Sequence, residues 1–386
     1  MIKPADRINT VQEYYFSVKL KQIDRLRQEG KDVINLGIGS PDQAPAPQVI
    51  ETLGETAKSP SNHGYQSYIG IPALRKGFAT WYQRSYGVAL NPENEIIPMM
   101  GSKEAIMHIS MAFLNPGDEV LLPNPGYPTY TAVTNLVGAV GRYYDLRADN
   151  GWQPDFEALE AQDLSKVKLM WVNYPNMPTG AAADPAVMKQ LIAFGRRHHI
   201  LICNDNPYSF VLNPNPSSLL SVEGAKEIAI ELNSLSKSHN MAGWRIGMVA
   251  SNAEFIQYIL RVKSNMDSGM FRPMQEAAAK ALELDKEWYN EVNAVYARRR
   301  ALVFELMDTL QCSYDRKQVG LFIWAKIPDK FKNGEEISDL ILDGAHVFIT
   351  PGFIFGSNGD QYIRISLCAS EALFEESIRR IKQLEI

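Results

Sequence analysis

Between residues 95 and 251 the chain repeats one rhythm, a short apolar run rich in β-formers followed by a helix-like spacer. The runs are IIPMM (96–100), VLLP (120–123), KLMWVN (168–173), ILICND (200–205), IAIELNS (228–234) and RIGMVAS (245–251). Continuous rather than alternating apolarity marks strands covered on both faces, and helical spacers give parallel neighbours. The rhythm predicts an α/β fold with a mainly parallel sheet under helices. One spacer declares its own boundaries. In DPAVMKQLIAFGRRHH, Asp184 is a cap, Pro185 occupies the first turn, and Arg196, Arg197 and two histidines stand where the helix dipole favours cations.

Beyond about residue 280 the texture changes. A long charged helical stretch (NEVNAVYARRRALVFELMDTL), the short strands GLFIWAKI and YIRISL, and the amphipathic ALFEESIRRIKQLE read as a smaller α+β unit. Helix-like FSVKLKQIDRLRQEG and strand-like VINLGIG, both before residue 40, are expected to pack with it. A chain of 386 residues has room for two or three domain-sized units. The expected division is 1–44 for an arm and part of the small domain, 45–280 for the large domain and 281–386 for the rest of the small domain.

With 39 basic and 44 acidic residues the net charge is −5, without the basic excess that nucleic acid or an anionic membrane requires. No apolar run reaches the length of a membrane span, and MIKPADRINTVQEYYF has no signal-peptide hydrophobic region, so a cytoplasmic location is expected. Cys203, Cys312 and Cys368 are scattered and odd in number, which suggests buried thiols rather than disulfides. The six histidines lack H-x-x-x-H or H-E-x-x-H spacing, and no metal is expected.

In an open α/β sheet, ligands gather at the carboxyl ends of strands. Three segments follow such ends. GSKEAIMHI opens with Gly101, free for a tight turn, and Ser102, able to cap; a helix start of this kind attracts phosphate, though it is also an ordinary cap. DNPY follows ILICN, leaving the Asp205 carboxylate at the mouth of a buried strand, where it needs a cationic or donor partner. SLSKSHNMAGWRIG (234–247) holds Lys237 among small polar residues directly after a strand, with Arg245 eight residues on.

This last segment resembles the pyridoxal-phosphate attachment signature of the class I and II aminotransferases, of fold type I. The resemblance continues in family order through LGIGSPD (36–42), YQSYIGIPALR (65–75), GSKEA (101–105), PGYPTY (125–130), DNPY (205–208) and YIRIS (362–366). KSNMDSGMFRPMQ (263–275) is similar to the subgroup containing diaminopimelate, alanine and aspartate aminotransferases. The resemblance implies a seven-stranded, mainly parallel sheet in the large domain, and a homodimer with shared active sites. It further implies ping-pong transfer of an amino group from an L-amino acid to a 2-oxo acid.

By the same resemblance, Lys237 carries pyridoxal 5′-phosphate as a Schiff base and then moves the substrate proton. Asp205 is implied to pair with the ring nitrogen, Tyr208 to bond the phenolic oxygen and Tyr127 to stack on the ring. Gly101, Ser102, Lys103, Ser234, Ser236 and Arg245 are implied around the phosphate together with the partner subunit's Tyr65, and Gly39 and Arg364 around the substrate α-carboxylate. One position departs from the pattern. YPNMPTG has Met177 where the family usually keeps an asparagine that donates to the phenolic oxygen. A thioether cannot donate. Either Asn176 or Asn173 supplies the bond after a loop shift, or Tyr208 acts alone, and the Lys237 linkage is expected to hold its proton more tightly.

The side-chain pocket is not decided by the sequence. Asn265, Asp267, Ser268 and Arg272 serve either a polar substrate group or helix caps and dimer contacts, while Tyr14, Tyr15 and Phe16 line the entrance or belong to the core. The same anchoring residues suit a C–S lyase, a decarboxylase or a cyclopropane-forming synthase. Retention of Lys237 argues against a non-catalytic pyridoxal-binding module. A nicotinamide site is not indicated, since GIGSPDQAP lacks the final glycine of the dinucleotide fingerprint.

Overall fold

The computed structural model describes residues 2–11, 15–182 and 184–384, apart from the Phe16 side chain. Tyr14 and the Phe16 side chain, two of the groups expected at the entrance, lie outside the described residues. The described strands are β1 (Ile34–Asn35), β2 (Ile96–Met99), β3 (Glu119–Asn124), β4 (Val140–Asp145), β5 (Val167–Val172), β6 (Leu201–Asp205), β7 (Ala229–Ser234), β8 (Gly247–Ala250), β9 (Phe322–Lys326), β10 (Val347–Phe348), β11 (Thr350–Pro351) and β12 (Tyr362–Ser366).

β2 to β8 form one seven-stranded sheet in the order 2-8-7-6-5-3-4. β8 runs against both β2 and β7, and the other pairs are parallel. Six of these strands are the six apolar runs. The seventh, β4, is one of the two edge strands, and its residues Val140 and Tyr143 are half exposed, so VGRYYD carries no continuous apolar signal.

Successive side chains of a strand point to opposite faces, and here both faces are covered. Leu122, Leu169, Trp171, Cys203, Ile230 and Leu232 pack under the helices Ser102–Phe113 and Ala253–Lys263, through Ile106, Ile109, Ile256 and Ile259. The intervening residues Leu121, Met170, Val172 and Ile202 meet Phe78, Trp81, Leu191 and Phe194 on the other side. Each such aliphatic side chain, fully removed from water, contributes about 1.5–3 kcal/mol. The helix Pro185–His198 starts as its sequence indicates, with the Asp184 carboxylate accepting from the Ala186 amide at 2.7 Å.

The C-terminal strands make a separate antiparallel sheet in the order β11-β12-β9, packed on the helices Lys286–Thr309 and Glu371–Ile381 through Val303, Leu306, Phe374 and Ile378. β1 pairs in parallel with β10, so the N-terminal strand joins this C-terminal part of the chain. It stops after two residues, and residues 36–42 leave it as a loop. Among the described residues no helix is long and apolar enough to cross a membrane.

Candidate active site

The carboxyl ends of the parallel strands converge at one end of the large sheet. Ser102 lies three residues past β2, Tyr127 three past β3, Asn173 directly after β5 and Lys237 three past β7, while Asp205 closes β6. Because β8 is antiparallel, its first residue is at the same end, and Arg245 stands two residues before it. These side chains line one cavity of about 610 Å³ together with Gly39, Lys103, Tyr208, Ser234, Ser236 and Arg364.

Three of the residues that the resemblance implies around the cofactor are not on that wall. Gly101 backs the site instead. Its φ of 84° and ψ of 159° suit glycine alone, and a Cβ there would come within 2.2 Å of the Arg245 guanidinium. Asn176 is buried with its Oδ1 taken by the Thr179 hydroxyl at 2.7 Å. Tyr65 is 94% exposed and lines a different cavity with His63, Ser268 and Phe271, so it does not reach this one from its own chain.

Asp205 is 4% exposed and only half partnered. The Tyr130 hydroxyl donates to Oδ2 at 3.0 Å, whereas Oδ1 has no hydrogen-bond partner among the described residues. Burial pushes the carboxyl pKa up to about 6, with the Tyr130 and Ser102 hydroxyls working against that rise. Tyr130 is itself fixed by stacking on Trp171, ring centres 5.0 Å apart. Tyr130 carries no distinct signal in the sequence, where it is the second tyrosine of PGYPTY, in the first turn of the helix Pro128–Leu136. Asn173 is committed to the backbone: its amide donates to the Asp205 carbonyl at 2.5 Å and its oxygen accepts from the Met177 N–H at 2.7 Å.

Lys237 lies on the short helix Leu235–Ser238, capped by the Ser234 hydroxyl. Burial lowers its ammonium pKa, opposed by Cys368 and reinforced by the Arg364 and Arg245 charges, and its Nζ donates to the Gly39 carbonyl at 2.5 Å. Arg364, on β12, has its guanidinium 3.9 Å from the centre of the Phe322 ring and 4.6 Å from that of Phe355. Its Nη2 donates to the Gly37 carbonyl at 2.8 Å and its Nη1 to the Met177 Sδ at 3.3 Å. Met177 is thus more than a missing donor, because its sulfur touches the arginine. Burial raises the Tyr208 hydroxyl pKa, eased by Arg364 and reinforced by Asp205.

Towards the opening, Ser17 and Leu20 of the helix Tyr15–Gln28 and Ile38 complete the wall. Tyr15 packs edge-on against Phe353. Asn265, Asp267 and Arg272 are off the wall: Asn265 donates to the Arg261 carbonyl, Asp267 accepts from the Gly269 amide, and Arg272 pairs with Glu276 at 3.2 Å. The fold also joins a group that sequence spacing does not show. Ligand atoms of Glu104, His108 and Asp267 lie within 4.8 Å of one another, but the buried Lys263 ammonium contacts Asp267 and supplies the positive charge there.

The wall sets Lys103, Lys237, Arg245 and Arg364 against the single carboxylate of Asp205. Such a surplus suits a ligand bearing several negative charges, with one cationic N–H directed to Asp205 Oδ1.

The family described as Aminotransferase class I and II matches residues 31–381. LL-diaminopimelate aminotransferase of Dehalococcoides mccartyi is 39% identical over 382 residues, 98% of each chain. The enzyme of that name from Aquifex aeolicus is 37% identical over 392 residues, covering all of both chains. Among solved structures, apo-BacF from Bacillus subtilis superposes with a TM-score of 0.95 at 37% identity, covering 100% of this chain and 99% of that one. A Thermus thermophilus aspartate aminotransferase mutant gives 0.92 at 25% identity, covering 99% and 100%.

Proposed function

This chain belongs to the class I and II aminotransferases and is a pyridoxal-phosphate-dependent enzyme acting on amino acids and 2-oxo acids, and on that premise we propose that the cavity around Lys237 is its active site. The carrying observation is that one cavity joins a buried amine, a buried carboxylate with one open oxygen, and the Arg364 guanidinium.

The residues fit the cofactor. Pyridoxal phosphate, when bound, supplies an aldehyde that combines with amines and a protonated ring that withdraws electrons from the substrate α-carbon. In our reading Asp205 Oδ1 would accept the ring N–H while Tyr130, donating to Oδ2, restrains the carboxylate. The start of the helix Ser102–Phe113, with Ser102, Lys103, Ser234, Ser236 and Arg245, would hold the phosphate. Tyr127 would cover one ring face and Tyr208 would bond the phenolic oxygen. Asn173 fixes the backbone of Asp205 and Met177 with its amide and its oxygen, while Asn176 lies off the cavity wall with its Oδ1 held by Thr179 and its Nδ2 without a hydrogen-bond partner among the described residues. Lys237 would attach the cofactor and, once released, its free amine would move the proton between the substrate Cα and the cofactor C4′. Burial readies it by favouring the neutral amine. Arg364 holds the substrate carboxylate, with Gly39 beside it.

The exposure of Tyr65 supports a homodimer in which it reaches the phosphate of the other copy. We also read the chain as a cytoplasmic enzyme with a large domain at 45–280 and a small domain formed by 1–44 and 281–386, consistent with the β1–β10 pairing. LL-diaminopimelate is the first amino donor to test, on the strength of the relatives that carry its name.

Half-reaction spectroscopy tests the reading. Adding an amino donor to the cofactor-loaded protein should bleach its visible absorption to that of the amine form, and 2-oxoglutarate or pyruvate should restore it. Irreversible loss, or release of carbon dioxide or thiol, would instead indicate one of the lyase, decarboxylase or synthase chemistries.

A further inference from the structure

The loop 37–42 forms part of the cavity wall, yet little holds it. Gly37 is anchored from both directions, its amide by the Asn35 side chain and its carbonyl by Arg364 and Thr350. Among the described residues, the hydrogen bonds of 38–43 are then confined to two tethers. One is Lys237 Nζ to the Gly39 carbonyl. The other is a fork in which Arg299 Nη1 and Nη2 each reach one Asp42 oxygen at 2.7 Å. Arg299 sits on the helix Lys286–Thr309, only 5% exposed, and its Nη1 also donates to the Leu367 carbonyl at 3.1 Å. Leu367 is three residues beyond Arg364.

We propose that Asp42 and Arg299 are positioning residues that fix the separation between the Gly39 loop and the Arg364 strand while Lys237 is reacting. The inference rests on the active-site reading above. Lys237 cannot bond the Gly39 carbonyl and hold the cofactor with the same nitrogen, so its tether is given up once the cofactor is attached. The second tether stays. A single guanidinium then holds both walls of the carboxylate end, one through Asp42 and the other through Leu367. The bidentate fork fixes direction as well as distance, which an ammonium cannot reproduce. Gly39 leaves the loop no slack, because a Cβ there would come within 2.3 Å of the Phe322 ring, the ring on which Arg364 lies.

The test uses the full-length protein with Asp42→Asn, Arg299→Lys and Lys237→Ala, singly and combined. Hydrogen exchange of the Leu36 and Gly37 amides, the bonded N–H groups at the neck of the loop, reads its opening without any turnover. Removing either tether alone should raise exchange several-fold, and Arg299→Lys in the Lys237→Ala background should raise it by more than the product of the two. In steady state, Asp42→Asn and Arg299→Lys should raise KM for both amino and oxo acid by about tenfold, leave kcat within about threefold, and weaken binding of maleate by the same factor. Variants that lower Tm but keep wild-type KM, maleate affinity and loop exchange would overturn the proposal. Should the wild-type protein show no half-reaction, the active-site reading fails, while the exchange experiment still decides whether Arg299 is the second tether.

Discussion

Replacing Asp205 by asparagine should make the cofactor-free protein more stable at neutral pH. The carboxylate is 4% exposed, is held by one hydroxyl, and has its pKa raised from 3.8 to about 6 by burial. In the unfolded chain it returns to its ordinary value. Below about pH 4 both states carry the proton and the group is neutral in its effect. Between about pH 4 and pH 6 the unfolded chain releases its proton first, binds fewer protons than the folded state, and is increasingly favoured. Above pH 6 both are ionised and the destabilisation is complete. At roughly 1.4 kcal/mol per tenfold change in proton affinity, the rise is equivalent to about 3 kcal/mol.

Asparagine has no such titration and keeps an oxygen for the Tyr130 hydroxyl. Urea unfolding of the two cofactor-free proteins from pH 4 to pH 8 should show a difference in stability that grows by about 3 kcal/mol in favour of Asp205→Asn. The same variant should bind pyridoxal phosphate more weakly. A difference that is flat across this range, or that favours the wild type as pH rises, would refute the reasoning.

Tyr130→Phe keeps the stack on Trp171 but deletes the donor to Asp205 Oδ2. A hydrogen bond to a charged group is worth about 1.5–3 kcal/mol, so cofactor affinity at pH 8 should fall at least about tenfold in a fluorescence titration; unchanged affinity would show that the carboxylate does not need this support. Met177→Asn supplies a donor where the thioether has none, and the pH midpoint of the bound cofactor's visible absorption should fall. An unmoved midpoint would show that residue 177 does not tune the site. For the dimer, mixing Tyr65→Ala with Lys237→Ala should create hybrids with one intact site if Tyr65 serves the opposite subunit; activity no greater than that of the separate variants would exclude this arrangement.

What could be read from the sequence follows what is local. The six apolar runs are strands because their burial is continuous along the chain, and Asp184 caps its helix through the amide two residues on. Lys237, Asp205 and Arg245 could be located because each stands within three residues of a strand end in the main sheet. Pairings between distant segments gave no such signal. Tyr130 meets Asp205 across 75 positions, Arg364 meets Met177 across 187, and Arg299 meets Asp42 across 257. β4 escaped because it keeps polar and half-exposed residues at its edge of the sheet, whereas β1 was expected within VINLGIG and pairs over only two residues. The position of Met177 was visible in YPNMPTG as a lost donor, but its contact with the carboxylate arginine depends on how two units of the fold meet.

The reversed strand β8 has a consequence for how this site can change. The chain leaves the sheet at Ser234 and re-enters at Gly247, residues that are paired across β7 and β8, and the Leu235 amide bonds the Ile246 carbonyl at 3.0 Å just outside that pair. Lys237 and Arg245 therefore ride on a closed loop of fixed circumference. Lengthening or shortening it by one residue would break the register at its neck and alter the reach between amine and phosphate together. Segments such as the helix Tyr15–Gln28 are under no such closure. Variation in what the enzyme accepts can accumulate there, at the rim, while the spacing that governs the reaction is inherited intact.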